Sequence, residues 1–260
     1  RQYRLPLYRR LSTLPDLDVV HCHGPASTGL MGRRYANKHD IKSVYTHHTP
    51  IEEYLIRAVR SETLADAVGQ LYVTYENQFL RSFDCVTAST SKIRRKVTAR
   101  QLPVGIEMDR FQPQDEQLFD DGQPIIGYSG RMTTKKNIDE ILRVAAETPD
   151  YRYVLVGEGP ARSGLEADAP ENVEFHDFMD REKLPTFYSS LDVFVSASTC
   201  DTLGLSTLEA CACGTPVAAA DVQPFNETIG EENGARFEYG DVDAMARAIR
   251  ACLDGGRDTR

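Results

Sequence analysis

The stretch DVFVSASTCDTLGLSTLEACACGTPVAAAD, residues 192–221, decides the fold class. DVFVSAS reads as a buried strand, and PVAAAD, after a Gly-Thr-Pro turn, as another. The segment between them reads as a helix starting at Leu205 or Ser206. Two apolar strands joined by a helix form a unit of a parallel sheet covered on both faces. Ligands of such sheets gather at the carboxyl ends of strands, which here is the loop TCDTLG, 199–204. Asp201 stands in that loop, and Glu209 follows eight residues later. The free N–H groups and dipole of a helix start favour an anion, and Gly204 allows its close approach. Ser206-x-x-Glu209 also fits a capping box, so Glu209 is open to two readings, as helix cap or as ligand hook.

The same rhythm runs through the whole chain. In the first half, DLDVVHCH (16–23), IKSVYTHH (41–48) and DCVTAS (84–89) read as strands. Helices are expected at ASTGLMGRRYANKH (26–39) and over 62–82, where Leu64, Val68, Leu71, Tyr72, Tyr75 and Phe79 recur at helical spacing. SKIRRKVTAR (91–100) reads as a basic helix. In the second half, PIIGYSG, YRYVLVG, VEFHDF, DVFVSAS and PVAAAD are strands with helices between them, and a closing helix is expected over 241–253. The polar, acidic stretch QDEQLFDDGQ has no periodicity and reads as a linker. The expected organisation is therefore a first Rossmann-like domain over 1–112, a linker over 113–122 and a second Rossmann-like domain over 123–260. That is an α/β fold of two doubly wound domains facing a cleft.

Composition narrows the classes of function. The chain has 260 residues, of which 41% are hydrophobic, enough for two cores. No apolar run reaches the roughly 18 residues of a membrane span, and no secretory signal is visible. Cys22, Cys85, Cys200, Cys211, Cys213 and Cys252 form no CxxC pair, so they read as small buried residues of a reducing compartment rather than disulfides or a zinc site. Residues 1–112 carry 17 Lys+Arg against 11 Asp+Glu, net +6, while residues 113–260 carry 13 against 28, net −15. That asymmetry implies different partners for the two halves, and nothing in it points to nucleic acid.

Further candidates fall at strand ends. In YSGRMTTKKN a strand ends at Gly130, Arg131 follows, and Lys136 opens the next helix, so two cations could neutralise a diphosphate. Gly157-x-Gly159 is a turn signal and not a GxGxxG fingerprint; with no acid about 20 residues beyond such a motif, a dinucleotide oxidoreductase is disfavoured. In YTHHTPIEE, His47 and His48 end a strand, with Thr49, Pro50 and Glu52 as helix-start signals. Adjacent strand residues point to opposite faces, so this pair does not share a metal. His21 and His23 lie on one face, with His23 nearer the strand end.

Together these blocks resemble glycosyltransferase family 4, the retaining GT-B enzymes. GYSGRMTTKKNIDEILRVA resembles its G-R-x-x-x-x-K block, and the Asp201–Glu209 spacing resembles its paired-acid motif with Asp as the first acid. The Asp-Thr-x-Gly form, with DVVHCHGPASTGLMG, YTHHTPIEEYL and PVGIEMDRF, resembles the branch of lipid α-glycosyltransferases. The resemblance implies that Arg131 and Lys136, after Gly130, hold a donor diphosphate, and that Glu209 binds ribose hydroxyls. It implies that Asp201 and the backbone of Gly204, Leu205 and Ser206 hold the sugar and distal phosphate. Phe178 and Met179 would meet the base, and His48, with His23 on the acceptor side, would stand beside the reacting sugar.

The implied activity is front-face transfer of a hexose from a UDP- or GDP-linked sugar, without metal or other cofactor, to a lipid such as diacylglycerol or a phospholipid. Other outcomes are a polysaccharide or polyprenyl-linked acceptor, or an inactive nucleotide-sugar binding module. The basic 91–100 segment and the lipid branch together suggest a cytoplasmic protein peripheral at the anionic inner face of the plasma membrane. The family's Gly-rich acceptor loop and final crossing helix have no counterpart, so a chain shortened at both ends is expected.

Overall fold

The computed structural model describes residues 16–25, 27–48, 62–91, 99–103, 105–119 and 122–257. Thr49, Pro50 and Glu52, and Lys92 to Thr98 of the expected basic helix, lie outside the described residues. The chain folds as two compact units, Arg1–Val104 and Gly105–Arg260.

The first unit holds strands β1 (Val19–Cys22), β2 (Lys42–His47), β3 (Cys85–Ala88) and β4 (Arg100–Gln101), parallel and in that order. Helix α1 (Ser27–His39) links β1 to β2, and helix α2 (Glu62–Leu80) precedes β3. Cys22, Tyr45, Phe79, Leu80 and Phe83 form its core.

The α2 face differs from the one that apolar spacing predicts. Leu64, Leu71 and Tyr75 are exposed, whereas Ala65, Gly69, Glu76 and Phe79 are buried. Glu76 goes inward because His47 is there to meet it. Their Oε1 and Nε2 atoms are 3.0 Å apart, each side chain is 2% exposed, and Tyr72 donates its hydroxyl to the same oxygen at 3.1 Å. A carboxylate buried without such partners would cost several kcal/mol, so this polar cluster outweighs the apolar pattern.

The second unit is a six-stranded parallel sheet. Its strands are β5 (Ile125–Ser129), β6 (Arg152–Val156), β7 (Val173–His176), β8 (Val193–Ser196), β9 (Val217–Ala220) and β10 (Gly234–Phe237). Their order is β7-β6-β5-β8-β9-β10, so the chain builds outward from β5 in one direction and then returns to build in the other. The reversal puts the topological switch point between β5 and β8.

Helices α3 (Ile138–Glu147), α4 (Arg162–Ala167), α5 (Leu184–Ser189), α6 (Leu205–Ala212), α7 (Phe225–Thr228) and α8 (Val242–Arg257) connect and cover the strands. Successive strand residues serve two cores. Ile126, Val193, Val195 and Ala218 pack in one cluster with Ile141 and Ile249; Ile125, Phe194, Val217 and Ala219 pack in the other with Phe187 and Phe225. Burying a Val, Ile or Phe side chain stabilises by roughly 1.5–3 kcal/mol.

Residues just ahead of β5 also belong to this body. Phe111 is fully buried, Gln114 N donates to Ser189 Oγ at 3.0 Å, and Leu118 N donates to Ser190 Oγ at 2.9 Å.

All six cysteines are free. Cys22, Cys213 and Cys252 are buried as the sequence suggests, but Cys85, Cys200 and Cys211 are only half-buried. Among the described residues no helix is long and apolar enough to cross a membrane.

Candidate functional site

The switch point collects most of the expected residues. β5 and β6 stay paired beyond their assigned ends, since Gly130 N donates to Val156 O at 3.0 Å and Met132 N to Glu158 O at 2.8 Å. The backbones come so close that a Cβ on Gly157 would sit 2.0 Å from Gly130 O, and one on Gly159 2.0 Å from Met132 O. The Gly-x-Gly that reads as a plain turn in the sequence is therefore what lets the two chains zip together. Strand alternation then buries Met132 and leaves Arg131 exposed, with no ion pair among the described residues.

A 3-10 turn, Thr134–Lys136, carries Lys136 over to the end of β8. Asn137 in the left-handed conformation donates Nδ2 to Ala197 O at 2.9 Å and Thr199 Oγ1 at 3.4 Å, and Cys200 Sγ donates to Lys135 O at 3.3 Å. These bonds staple the β5 and β8 loops together. Lys136 Nζ bonds Asp201 Oδ1, with both side chains about four-fifths buried. The cation expected on a diphosphate and the acid expected on a sugar are thus partners in this structure.

Helix α6 starts at Leu205, and its cap is Gly204 in the left-handed region with φ 69°. A Cβ there would lie 2.5 Å from the Phe225 ring, so packing as well as conformation requires glycine. Ser206 is inside the helix, and the capping-box reading of Ser206 and Glu209 is corrected: no side chain caps the helix, and Glu209 turns elsewhere. Glu209 Oε2 accepts the Tyr188 hydroxyl at 3.2 Å, and Tyr188 in turn bonds Ser129 Oγ at 2.7 Å. Glu209 Oε1 is 3.8 Å from Arg181, whose guanidinium also meets Glu107 and lies 5.6 Å from the Phe111 ring centre. Burial pushes the Glu209 carboxyl above its ordinary pKa, opposed by the Tyr188 bond and the Arg181 charge. Such a carboxylate has an acceptor atom ready for a hydroxyl donor.

Phe178 and Met179 follow β7. Phe178 is 70% exposed, whereas Met179 packs partly into the core. Leu205 is also exposed at the first position of α6.

In the first unit, His23 and His48 meet at the carboxyl ends of β1 and β2, with Nδ1 and Nε2 2.9 Å apart. The His21 ring lies tilted against His23 with ring centres 4.2 Å apart, and His21 bonds Thr46 Oγ1 at 2.6 Å. Burial, and then the neighbouring imidazoles, hold His48 below its ordinary pKa; burial and His23 do the same to His21. His47 points the other way, onto Glu76, as strand alternation requires. Among the described residues no group of three or more His, Cys, Asp or Glu could hold a metal ion.

Sequence reading passed over Asn137, Ser129, Tyr188 and Arg181. Only the basic Arg181, just beyond the base-side loop, carried a local signal; the others act through contacts distant in the chain.

Comparison with known proteins identifies the family and the fold. Residues 1–105 match the family model Glycosyltransferase Family 4, and residues 109–260 match Glycosyl transferases group 1. The chain is 27% identical over 266 residues to an alpha-monoglucosyldiacylglycerol synthase of Streptococcus pneumoniae, covering 92% of this chain and 59% of that protein. It is 29% identical over 272 residues to a D-inositol 3-phosphate glycosyltransferase of Mycobacterium sp. (strain JLS), covering 93% and 60%. The chain thus spans about three-fifths of the length of these relatives. The sucrose-phosphate synthase of Thermosynechococcus elongatus matches with a TM-score of 0.77 and 27% identity, over 92% of this chain and 65% of that one. Anabaena HepE in complex with UDP and glucose matches with a TM-score of 0.75 and 17% identity, over 96% and 72%, a likeness of fold. The chain belongs to the glycosyl transferases group 1, with a family 4 glycosyltransferase domain before it and the GT-B fold class.

Proposed function

We propose that the protein is a retaining hexosyltransferase that takes a UDP- or GDP-linked sugar as donor and a membrane lipid, such as diacylglycerol or a phospholipid, as acceptor. The observation that carries the donor half is the switch point of the second unit. An exposed Arg131, Lys136, the start of α6 and the buried Glu209 all stand at carboxyl ends of its strands. Cations and free N–H groups at that edge suit a diphosphate, and Glu209 suits the ribose. The lipid half draws on the names of relatives, which include a monoglucosyldiacylglycerol synthase, and on the basic character of residues 91–100.

In this reading the anomeric C–O bond breaks and its electron pair passes to the diphosphate. Arg131, Lys136 and the α6 amides stabilise that growing charge; one such contact is commonly worth about 2.7–4 kcal/mol. The acceptor hydroxyl attacks from the same face, and its proton leaves toward the departing phosphate oxygen. The donor phosphate competes with Asp201 for Lys136, and the released Asp201 takes up sugar hydroxyls. His48 stands beside the reacting sugar. No metal is required in this scheme, because the protein's own cations meet the diphosphate.

The test is transfer from UDP-glucose, UDP-galactose or GDP-mannose to diacylglycerol or phosphatidylinositol presented in neutral and in anionic vesicles. Product on the lipid, with more protein bound to anionic vesicles, is expected. Binding of no nucleotide sugar would overturn the donor assignment. Donor binding with transfer only to a soluble or polyprenyl-linked acceptor would replace the lipid assignment.

A further inference from the structure

Arg162 sits where three segments of the second unit converge. Its Nη1 donates to Gly157 O at 3.0 Å, at the end of β6, and to His176 O at 3.2 Å, at the end of β7. The same nitrogen lies 2.8 Å from Asp177 Oδ1, while Nε bonds Glu166 Oε1 on its own helix at 2.7 Å. Only about a fifth of the Arg162 side chain is exposed. Glu166 thus holds the guanidinium, and the guanidinium holds the start of the loop after β7.

The other side of that loop is fixed as well, since Met179 packs against the core beneath. Phe178 stands between these two anchors with most of its ring in solvent. A mobile aromatic would lose conformational freedom on meeting a planar ligand; one anchored on both sides loses less. The loop also lies at the carboxyl end of the sheet, the end where Arg131 and Lys136 stand. An exposed flat ring on a loop tethered at both sides at that end suits stacking by a heteroaromatic base.

We propose that Arg162 is a positioning residue for base recognition: it fixes the 177–179 loop so that Phe178 presents its ring to the nucleobase of the donor. The inference rests on the nucleotide-sugar reading above. Lysine cannot replace Arg162, because its single ammonium nitrogen could meet the two carbonyls and Asp177 but not also Glu166, which a second nitrogen of the guanidinium holds.

The experiment measures the affinity of the intact protein for UDP, GDP, ADP and inorganic pyrophosphate by calorimetry, in wild type, Arg162→Lys, Phe178→Ala and the double variant. Arg162→Lys is expected to weaken the preferred nucleoside diphosphate about tenfold, or ~1.4 kcal/mol, to leave pyrophosphate unchanged and to narrow the preference among bases. Phe178→Ala should do the same, and the double variant should lose little more than either single one. Asp177→Asn, which keeps the carbonyl bonds, should show the same pattern at about threefold and serves if Arg162→Lys fails to fold. Equal losses for pyrophosphate and nucleoside diphosphate, or fully additive losses in the double variant, would overturn the inference and leave the donor reading standing. A wild type that binds pyrophosphate but distinguishes no nucleoside diphosphate from it would overturn both.

Discussion

The strand-end edges of the two units use opposite electrostatics. In the second unit the edge is charged: Arg131 is exposed, Lys136 is paired with Asp201, and Glu209 is buried between Tyr188 and Arg181. In the first unit the edge is made of imidazoles that touch one another, with His21 and His48 held toward their neutral forms. The contrast teaches a division of labour. Under the proposed function, the charged edge suits the anionic donor and the imidazole edge suits an uncharged acceptor hydroxyl.

The largest effect expected from breaking this contrast is on the charged side. Arg131→Ala and Lys136→Ala should each lower turnover at least tenfold, and about a hundredfold if each supplies a full leaving-group contact, with melting temperature within a few degrees. The Lys136 variant leaves Asp201 without its partner, so any fall in its melting temperature that Asp201→Asn restores in the double variant belongs to the stranded carboxylate. A chelator should leave wild-type turnover unchanged; loss of activity restored by one divalent ion would return the role of these cations to a metal.

On the neutral side, His48→Ala should lower turnover about tenfold with little change in donor affinity, because it stands with the first unit's imidazoles. Steady-state kinetics decide this, and a raised donor KM at unchanged kcat would move His48 to donor binding. Glu209→Gln should weaken nucleotide binding several-fold through loss of charge-assisted bonds, with little change in melting temperature since the residue caps nothing.

The smallest effects concern pH. Glu209 is raised above its ordinary value of 4.5. Its contribution to stability is therefore full below that value and is lost as pH rises through the higher folded value. Ribose binding runs the other way, because it needs the ionised form. Nucleotide affinity should fall on acidification above the usual Glu range, and Glu209→Gln should remove that dependence. His21 and His48 are lowered from 6.5. The stability they contribute is present above that pH and is lost as pH falls through their lowered values. Melting curves between about pH 8 and pH 5 should show it, with less loss when His23→Gln removes the central imidazole.

The βαβ alternation was legible because fully buried parallel strands must be apolar on both faces, which is why DVFVSAS and PVAAAD stand out. Lys136 and Asp201 were legible as strand-end charges, but their pairing was not, since 65 residues separate them. The inward face of α2 was misread because His47 and Glu76 cancel each other's burial cost only once they meet. The Glu209 capping box was legible and wrong: Gly204 takes the cap position, and Tyr188, far away in sequence, claims the carboxylate. Local patterns report the backbone, while polar partners are chosen by topology.

The close contact between the Gly157–Gly159 backbone and Gly130 and Met132 reaches further than the geometry of one turn. Amides of Gly130 and Met132 lie outside the assigned strand yet are hydrogen-bonded across to Val156 and Glu158. They should resist hydrogen–deuterium exchange like the strand interior rather than like a loop. The segment that carries Arg131 is then already ordered before any ligand arrives, and binding there need not bear the entropy of fixing a mobile loop. An alanine at Gly157 would unzip this extension and convert a rigid strand end into a flexible one, and faster exchange at Gly130 would record the change.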